Sequence, residues 1–255
     1  MYTKSREQNL TDKLKQLYGF LKANRKFNHS LQERYYFSVV RRNTSISSKV
    51  LNLLYEIANT QSRPKIDNLS QSFKFFYENR RSLESFVGFV NLVNNGANKL
   101  ELNYFHLFNG MKKQHGWGNK TAALLVKSVF HMNNDEYSKE LRLWNDIPRH
   151  IDDSDKLYLP VDTVIISIFN EIDPSEKWNF NKINEKLMKY YSGSEMEVWD
   201  DLWFWGFITQ KGSGENRLFV WNENKYWMLR EAPKNKENID IIKDKSNNFI
   251  EILTK

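Results

Sequence analysis

The densest chemistry in the chain lies in Met111-Lys-Lys-Gln-His-Gly-Trp-Gly-Asn-Lys-Thr-Ala-Ala-Leu-Leu-Val126. It reads as a helix, a tight G-x-G turn at Gly116–Gly118, and a second helix with small residues at Ala122 and Ala123. Two glycines let a backbone turn sharply and approach another chain closely. Amide N–H groups of such a turn, opening onto a helix N-terminus, suit an anion such as phosphate. Lys112, Lys113 and His115 flank the turn, and Arg80–Arg81 lie upstream. The two lysines and two arginines read equally as phosphate contacts or as part of a solvated face, and for His115 the phosphate contact is the lesser reading. Taken alone, Lys120 is a lysine near a helix start and Asp162 is a cap residue.

Other chemistries find few residues. The chain has no cysteine, which excludes disulfides, iron–sulfur clusters, thiol nucleophiles and thiolate zinc sites. His29, His106, His115, His131 and His150 show no metal-type pairing. Asp152, Asp153 and Asp155 could suggest a metal site, but a solvated loop is the simpler reading. No metal is expected. A phosphodiesterase or metal nuclease lacks the clustered carboxylates and histidines it needs.

The string G-W-G-N-K-T-A resembles the helix-hairpin-helix element of the DNA glycosylase superfamily, whose G-x-G-x-K-T-A form carries the nucleophilic lysine of bifunctional members. Lys120 falls on that lysine. The family places an essential Asp downstream in a V-D-T motif, and Val161-Asp162-Thr163 matches, preceded by Pro160. The likeness covers about 60 residues, Leu107 to Phe169. The spacing from Lys120 to Asp162 is longer than in iron–sulfur members and is similar to the cluster-free archaeal 8-oxoguanine branch. Val164 stands where a histidine often follows V-D-T, and Gln114-His115 replace the usual Leu-Pro before the turn.

The resemblance implies a mechanism. The enzyme flips a damaged nucleotide out of duplex DNA. Turn amides at Gly116, Gly118 and Lys120 hold phosphate, with Lys112, Lys113, His115 and Thr121 beside them. Unprotonated Lys120 attacks the sugar C1′ and leaves a Schiff base, while Asp162 stabilises developing positive charge. A solvated lysine has a pKa of about 10.4, so the site must favour the neutral amine by burial or a nearby helix N-terminus. Leu124, one turn beyond Lys120, would form a pocket wall. Trp199, Trp203 and Trp205 would offer a ring for the flipped base, with core packing as the alternative. No cofactor is implied beyond a monovalent cation at the hairpin. The favoured substrate is an oxidised purine such as 8-oxoguanine. An alkylated or hypermodified base on the same fold is an alternative, and so is a non-catalytic helix-hairpin-helix DNA-binding module.

These residues need elements to position them. The chain has 255 residues, 40% of them hydrophobic and 15% aromatic, enough to bury a core. Net charge is +7, with eleven Lys/Arg against three Asp/Glu in residues 1–50 and five against eleven in residues 151–200. A basic region suits a polyanion, although it equally suits mere solubility. No apolar run approaches the roughly 20 residues that span a bilayer. We therefore expect a soluble, cytoplasmic, nucleoid-associated monomer that binds double-stranded DNA and no membrane.

The expected fold is mainly α and two-lobed, with a DNA-binding cleft between the lobes. One lobe joins residues 1–60 to 175–255. The other spans 61–174 and holds the hairpin at 105–130. Apolar spacing predicts helices through Leu14–Leu21, with Thr11 as N-cap, and through SLQERYYFSVV, KVLNLLYEIANT and the stretch from Ser70 to Val93. Residues 131–156 read as a loop with a short helix. PVDTVIISIF has strand propensity, yet the resemblance, Pro160 and the early Asp162 favour a helix. RLFVW and KYWML around Asn222–Asn224 read as a β-hairpin.

Overall fold

Helical spacing of apolar residues, with a polar cap at most starts, accounts for the elements. The computed structural model describes residues 2–41, 43–96, 102–152, 155–214 and 217–255. In order they are α1 (Tyr2–Val40), α2 (Ile46–Ala58), α3 (Ile66–Glu78), α4 (Phe86–Val93), α5 (Tyr104–Met111), α6 (Asn119–Asn133), α7 (Thr163–Ile172), α8 (Phe180–Met188), α9 (Gly193–Met196), α10 (Asp201–Ile208), α11 (Glu223–Met228) and α12 (Lys236–Thr254). Side chains of Ser45, Ser85, Asn103, Asn179, Asn222 and Asn235 accept amide bonds at the starts of α2, α4, α5, α8, α11 and α12, satisfying orphan donors there. The fold is mainly helical.

The chain divides into two compact units. The first comprises residues 1–31, 161–189 and 198–255, and the second 32–160 and 190–197. These boundaries differ from those read in the sequence. Residues 32–60 belong with the hairpin because α2 packs on α6 and α3. Residues 161–174 belong with the termini because α7 packs on α10 and α12.

In the second unit, Trp144 anchors the core. Its ring lies 5.9 Å from both Phe86 and Phe89, and its indole N–H donates to the Leu83 carbonyl at 2.8 Å. Buried His131, near the end of α6, sits 3.0 Å from the Tyr36 hydroxyl and 3.3 Å from Glu197. In the first unit, Trp205 is fully buried against Phe20 and Phe27. Trp199 is equally buried, against Tyr18.

Three local expectations are corrected. Thr11 is not an N-cap: α1 runs through it, and its hydroxyl donates to the Glu7 carbonyl at 2.7 Å. The apolar stripe continues back through buried Leu10, so the helix has no reason to start at Thr11. The β-hairpin lies one segment earlier than expected: β1 (Gln210–Lys211) pairs antiparallel with β2 (Leu218–Phe219). The KYWM stretch is α11, because Asn222 caps it rather than turning a hairpin. The aspartates after His150 are not simply a solvated loop. Asp155 is buried and accepts from the amides of Tyr104 at 2.9 Å and Phe105 at 2.8 Å, capping α5; Asp153 lies outside the described residues. Among the described residues no helix is long and apolar enough to cross a membrane.

One ion pair closes the end of α7. Arg6 grips Asp173 through Nε at 3.1–3.2 Å and Nη2 at 2.7 Å, while the Ser175 hydroxyl donates to the same carboxylate at 2.7 Å. Burial raises the Asp173 carboxyl, but the Arg6 and Ser175 bonds outweigh it and leave it below the usual carboxylate range. A depressed folded value contributes stability that is present above the unfolded pKa of about 3.9 and is lost as pH falls through the lower folded value. Denaturant midpoints followed down from pH 6 should fall less steeply below pH 4 for Arg6→Ala than for the wild type.

Candidate functional site

In the second unit, α5, the turn at residues 112–118 and α6 form a helix-turn-helix. The turn is built by successive short-range bonds: Lys113 N–H to the Gly110 carbonyl at 3.2 Å, Gln114 to Met111 at 2.9 Å, and Trp117 to Gln114 at 3.1 Å. Gly116 has φ +78, and a Cβ there would meet the side chain of Leu69 at 2.9 Å and its backbone nitrogen at 3.0 Å. Glycine is required on both counts. Trp117 is buried beneath the turn. From α3 the Ser72 hydroxyl donates to the His115 carbonyl at 2.7 Å, and Gln61 donates to the Gly116 carbonyl at 3.3 Å. The carbonyls of Gln114, His115 and Gly116 thus each accept one bond.

Gly118 is the N-cap residue of α6, with extended backbone (φ −120) and open space where a Cβ would stand. Ala122 and Ala123 are fully buried, where small side chains let the helices pack closely. Thr121 was expected at phosphate and is instead buried. Its hydroxyl accepts from the Gly118 amide at 3.0 Å and donates to the Gly118 carbonyl at 3.1 Å. Lys112, Lys113 and His115 are exposed around the turn. Lys120, half-buried in the first turn of α6, donates from Nζ to Thr60 Oγ1 at 3.1 Å. Thr60 follows the end of α2 and was invisible to motif reading, since nothing in its local sequence ties it to Lys120. Leu124, one turn on, is half-exposed.

The first unit carries the second motif. PVDTVIISIF begins a helix despite its β-branched content, because Asp162 caps α7: its Oδ1 accepts from Val164 N–H at 2.9 Å and Ile165 N–H at 3.2 Å. The other oxygen accepts the Trp203 indole N–H at 3.0 Å. Trp203 is 37% exposed and stacks on Phe207 at 4.9 Å with planes 10° apart. Arg217 reaches Thr163 Oγ1 at 2.8 Å and Gln210 Oε1 at 3.0 Å, while Gln210 Nε2 donates to the Val164 carbonyl at 3.0 Å. The start of α7 is therefore held from the side by β1 and the chain before β2. The Lys225 amine stands 5.1 Å from the Phe207 ring centre, its pKa lowered first by burial and then by Arg217.

Compared against family models, curated proteins and solved structures, the chain matches none.

Of the three expected pocket tryptophans, only Trp203 exposes its ring. Trp199 and Trp205 are core residues with no exposed ring, the packing alternative weighed for them. Arg217 was missed altogether, because its partners lie 54 and 7 residues away and carry no shared motif. Among the described residues no group of three or more His, Asp or Glu could hold a metal ion.

Two substitution pairs test this geometry by chemical denaturation. Gly116→Ala combines a left-handed backbone with a backbone clash and should cost about 2 kcal/mol or more, whereas Gly118→Ala should cost about 0.5 kcal/mol or less. Asp162→Ala removes the α7 cap and the acceptor of the Trp203 indole and should cost about 1–2 kcal/mol, while Asp162→Asn keeps a capping oxygen, loses only the indole bond and should cost about 1 kcal/mol or less.

Proposed function

We propose that this chain is a DNA base-excision glycosylase with abasic-site lyase activity, Lys120 acting as nucleophile and Asp162 as its carboxylate partner. The observation that carries the reading is the pairing of both motifs with helix starts. Lys120 lies in the first turn of α6, just after a glycine turn suited to phosphate, and Asp162 caps α7. A helix start offers amide donors and a favourable dipole to a phosphate.

The partner in this reading is double-stranded DNA with an oxidised purine such as 8-oxoguanine, bound by a monomer. The target nucleotide is flipped out of the stack. The Lys120 amine leaves Thr60, sheds its proton and attacks C1′. The C1′–N bond breaks, and the base departs with its electron pair and is protonated. Opening of the sugar ring gives a C1′ imine on Lys120; loss of a C2′ proton then expels the 3′ phosphate, cutting the strand. The Asp162 carboxylate stabilises the positive charge that develops on the sugar.

One observation favours a second reading, a non-catalytic DNA-binding module. Both Asp162 oxygens already have structural work, on the α7 amides and on Trp203.

Borohydride trapping on duplex oligonucleotides bearing 8-oxoguanine or an abasic site separates these readings. A covalent adduct is expected with wild type and none with Lys120→Gln. Asp162→Asn, with its cap intact, should slow trapping on the order of 100-fold. Trapping on the abasic site alone keeps the lyase and removes the oxoguanine assignment. An adduct that survives Lys120→Gln but not Lys225→Gln moves the nucleophile to Lys225. DNA binding without any adduct leaves the binding module.

A further inference from the structure

The second unit exposes an aromatic surface that its core does not use. On α3, Ile66, Phe73 and Tyr77 recur at helical spacing on the flank away from the buried Leu69–Ser72–Phe76 face. Tyr77 is 63% exposed. Across the seam from α2, Tyr55 lies flat on Phe73, ring centres 3.8 Å apart and planes within 3°. Tyr55 is nevertheless 50% exposed. With one face covered by Phe73, that exposure belongs to its other face and edge. This is a preformed stack with an open end.

The surroundings are cationic. Residues 61–81 hold five Lys/Arg against two Asp/Glu. Arg63 and Lys65 are exposed on the turn before α3, and the Arg80 guanidinium stands 5.9 Å from the Tyr77 ring centre. An apolar protein partner would favour aliphatic side chains without this charge. Flat rings interleaved with cations suit unpaired bases on a phosphate backbone, since every base has a π-face and every linkage a negative charge. From Ile66 to Tyr77 the helix rises about 16 Å, the length of about five phosphates along one strand.

We infer that the α2–α3 seam is a binding surface for single-stranded nucleic acid, with Tyr55 and Tyr77 stacking on bases and Arg63, Lys65 and Arg80 contacting phosphates. The surface needs neither Lys120 nor Asp162. It adjoins the hairpin through α3, whose Ser72 and Leu69 support the turn, and through α2, which packs on α6 and is followed by Thr60 and Gln61. It would give the protein a grip on an unpaired stretch in addition to any duplex contact at the hairpin.

The test is fluorescence anisotropy of the full chain with labelled oligothymidylate, the same length of oligouridylate, and a blunt DNA duplex, each across a salt series. Tyr55→Ala/Tyr77→Ala should weaken single-strand binding at least tenfold, because stacking is worth about 1–3 kcal/mol per base, and should leave duplex binding within twofold. Arg63→Gln/Lys65→Gln should lower the single-strand salt slope by about 1.4, at about 0.7 for each phosphate no longer neutralised. Oligothymidylate and oligouridylate should respond alike. Circular dichroism of these exposed-site variants checks that they fold. Single-strand affinity unchanged by the tyrosine pair overturns the proposal. So does an equal loss on the duplex, or a loss of self-association by sedimentation with no change in nucleic-acid binding. Lys120→Gln bound to single strands as tightly as wild type separates this result from the fate of the glycosylase reading.

Discussion

Gly116 sets where the second helix of the hairpin begins, and Lys120 takes its place from that start. The positive φ and the contact with Leu69 leave no room for a side chain, so the turn can close only at this residue. Ser72 and Gln61 then hold its carbonyls, buried Trp117 holds it from below, and Thr121 closes the first turn back onto Gly118. Lys120 lies within that turn, two residues after Gly118, with its amine on Thr60. An amine at a rigid helix start is aimed by the backbone rather than by its own flexible stem, and aiming of that kind is what proximity effects in catalysis require.

Asp162 meets the same constraint by another route. The helix it starts is made of residues that individually prefer strands, and a cap is needed to offset that preference. One oxygen serves the helix amides and the other takes the Trp203 indole, so the carboxylate has one orientation. A group held this way reorganises little when charge develops nearby, the condition under which electrostatic stabilisation is most effective. In the proposed reaction the two duties would be compatible, because that chemistry asks Asp162 for a fixed negative charge and not for a proton.

The motif residues were legible from the sequence because their local rules agree with their roles: glycine where the backbone must be left-handed, Asp where a helix must start. The helix of α7 overrode strand propensity through its cap and its packing on α10 and α12. Errors came where a local signal had a non-local competitor. Thr11 resembles a cap, but the stripe through Leu10 keeps the helix going. Asn222 resembles a hairpin turn, but its side chain accepts from Lys225 and starts α11. Trp199, Trp203 and Trp205 look alike in sequence, and only their burial in the fold tells the exposed ring from the core ones. Thr60 and Arg217 carry no signal at all, because a contact across 60 or 54 residues is made by the fold.

The 42-residue spacing between the motifs shows the same rule on a larger scale. Beyond the end of α6 at Asn133 most of this spacing has little regular structure, which is uncommon inside a domain unless it has a job. Here the segment after α6 contributes side chains to the core of the second unit. Tyr137, Leu141, Leu143, Trp144, Leu157 and Leu159 are all buried. Their irregular backbone is satisfied by side chains: Asn133 Oδ1 takes the amides of Leu143 and Trp144 at 3.1 and 3.2 Å. Asp155 turns the same segment back to cap α5, the first helix of the hairpin. Charged and polar residues that read as loop therefore act as internal fasteners, since buried backbone groups must find partners somewhere. The long spacing is a wall of the unit that carries Lys120, and shortening it would remove a cap from the helix on which the turn is built.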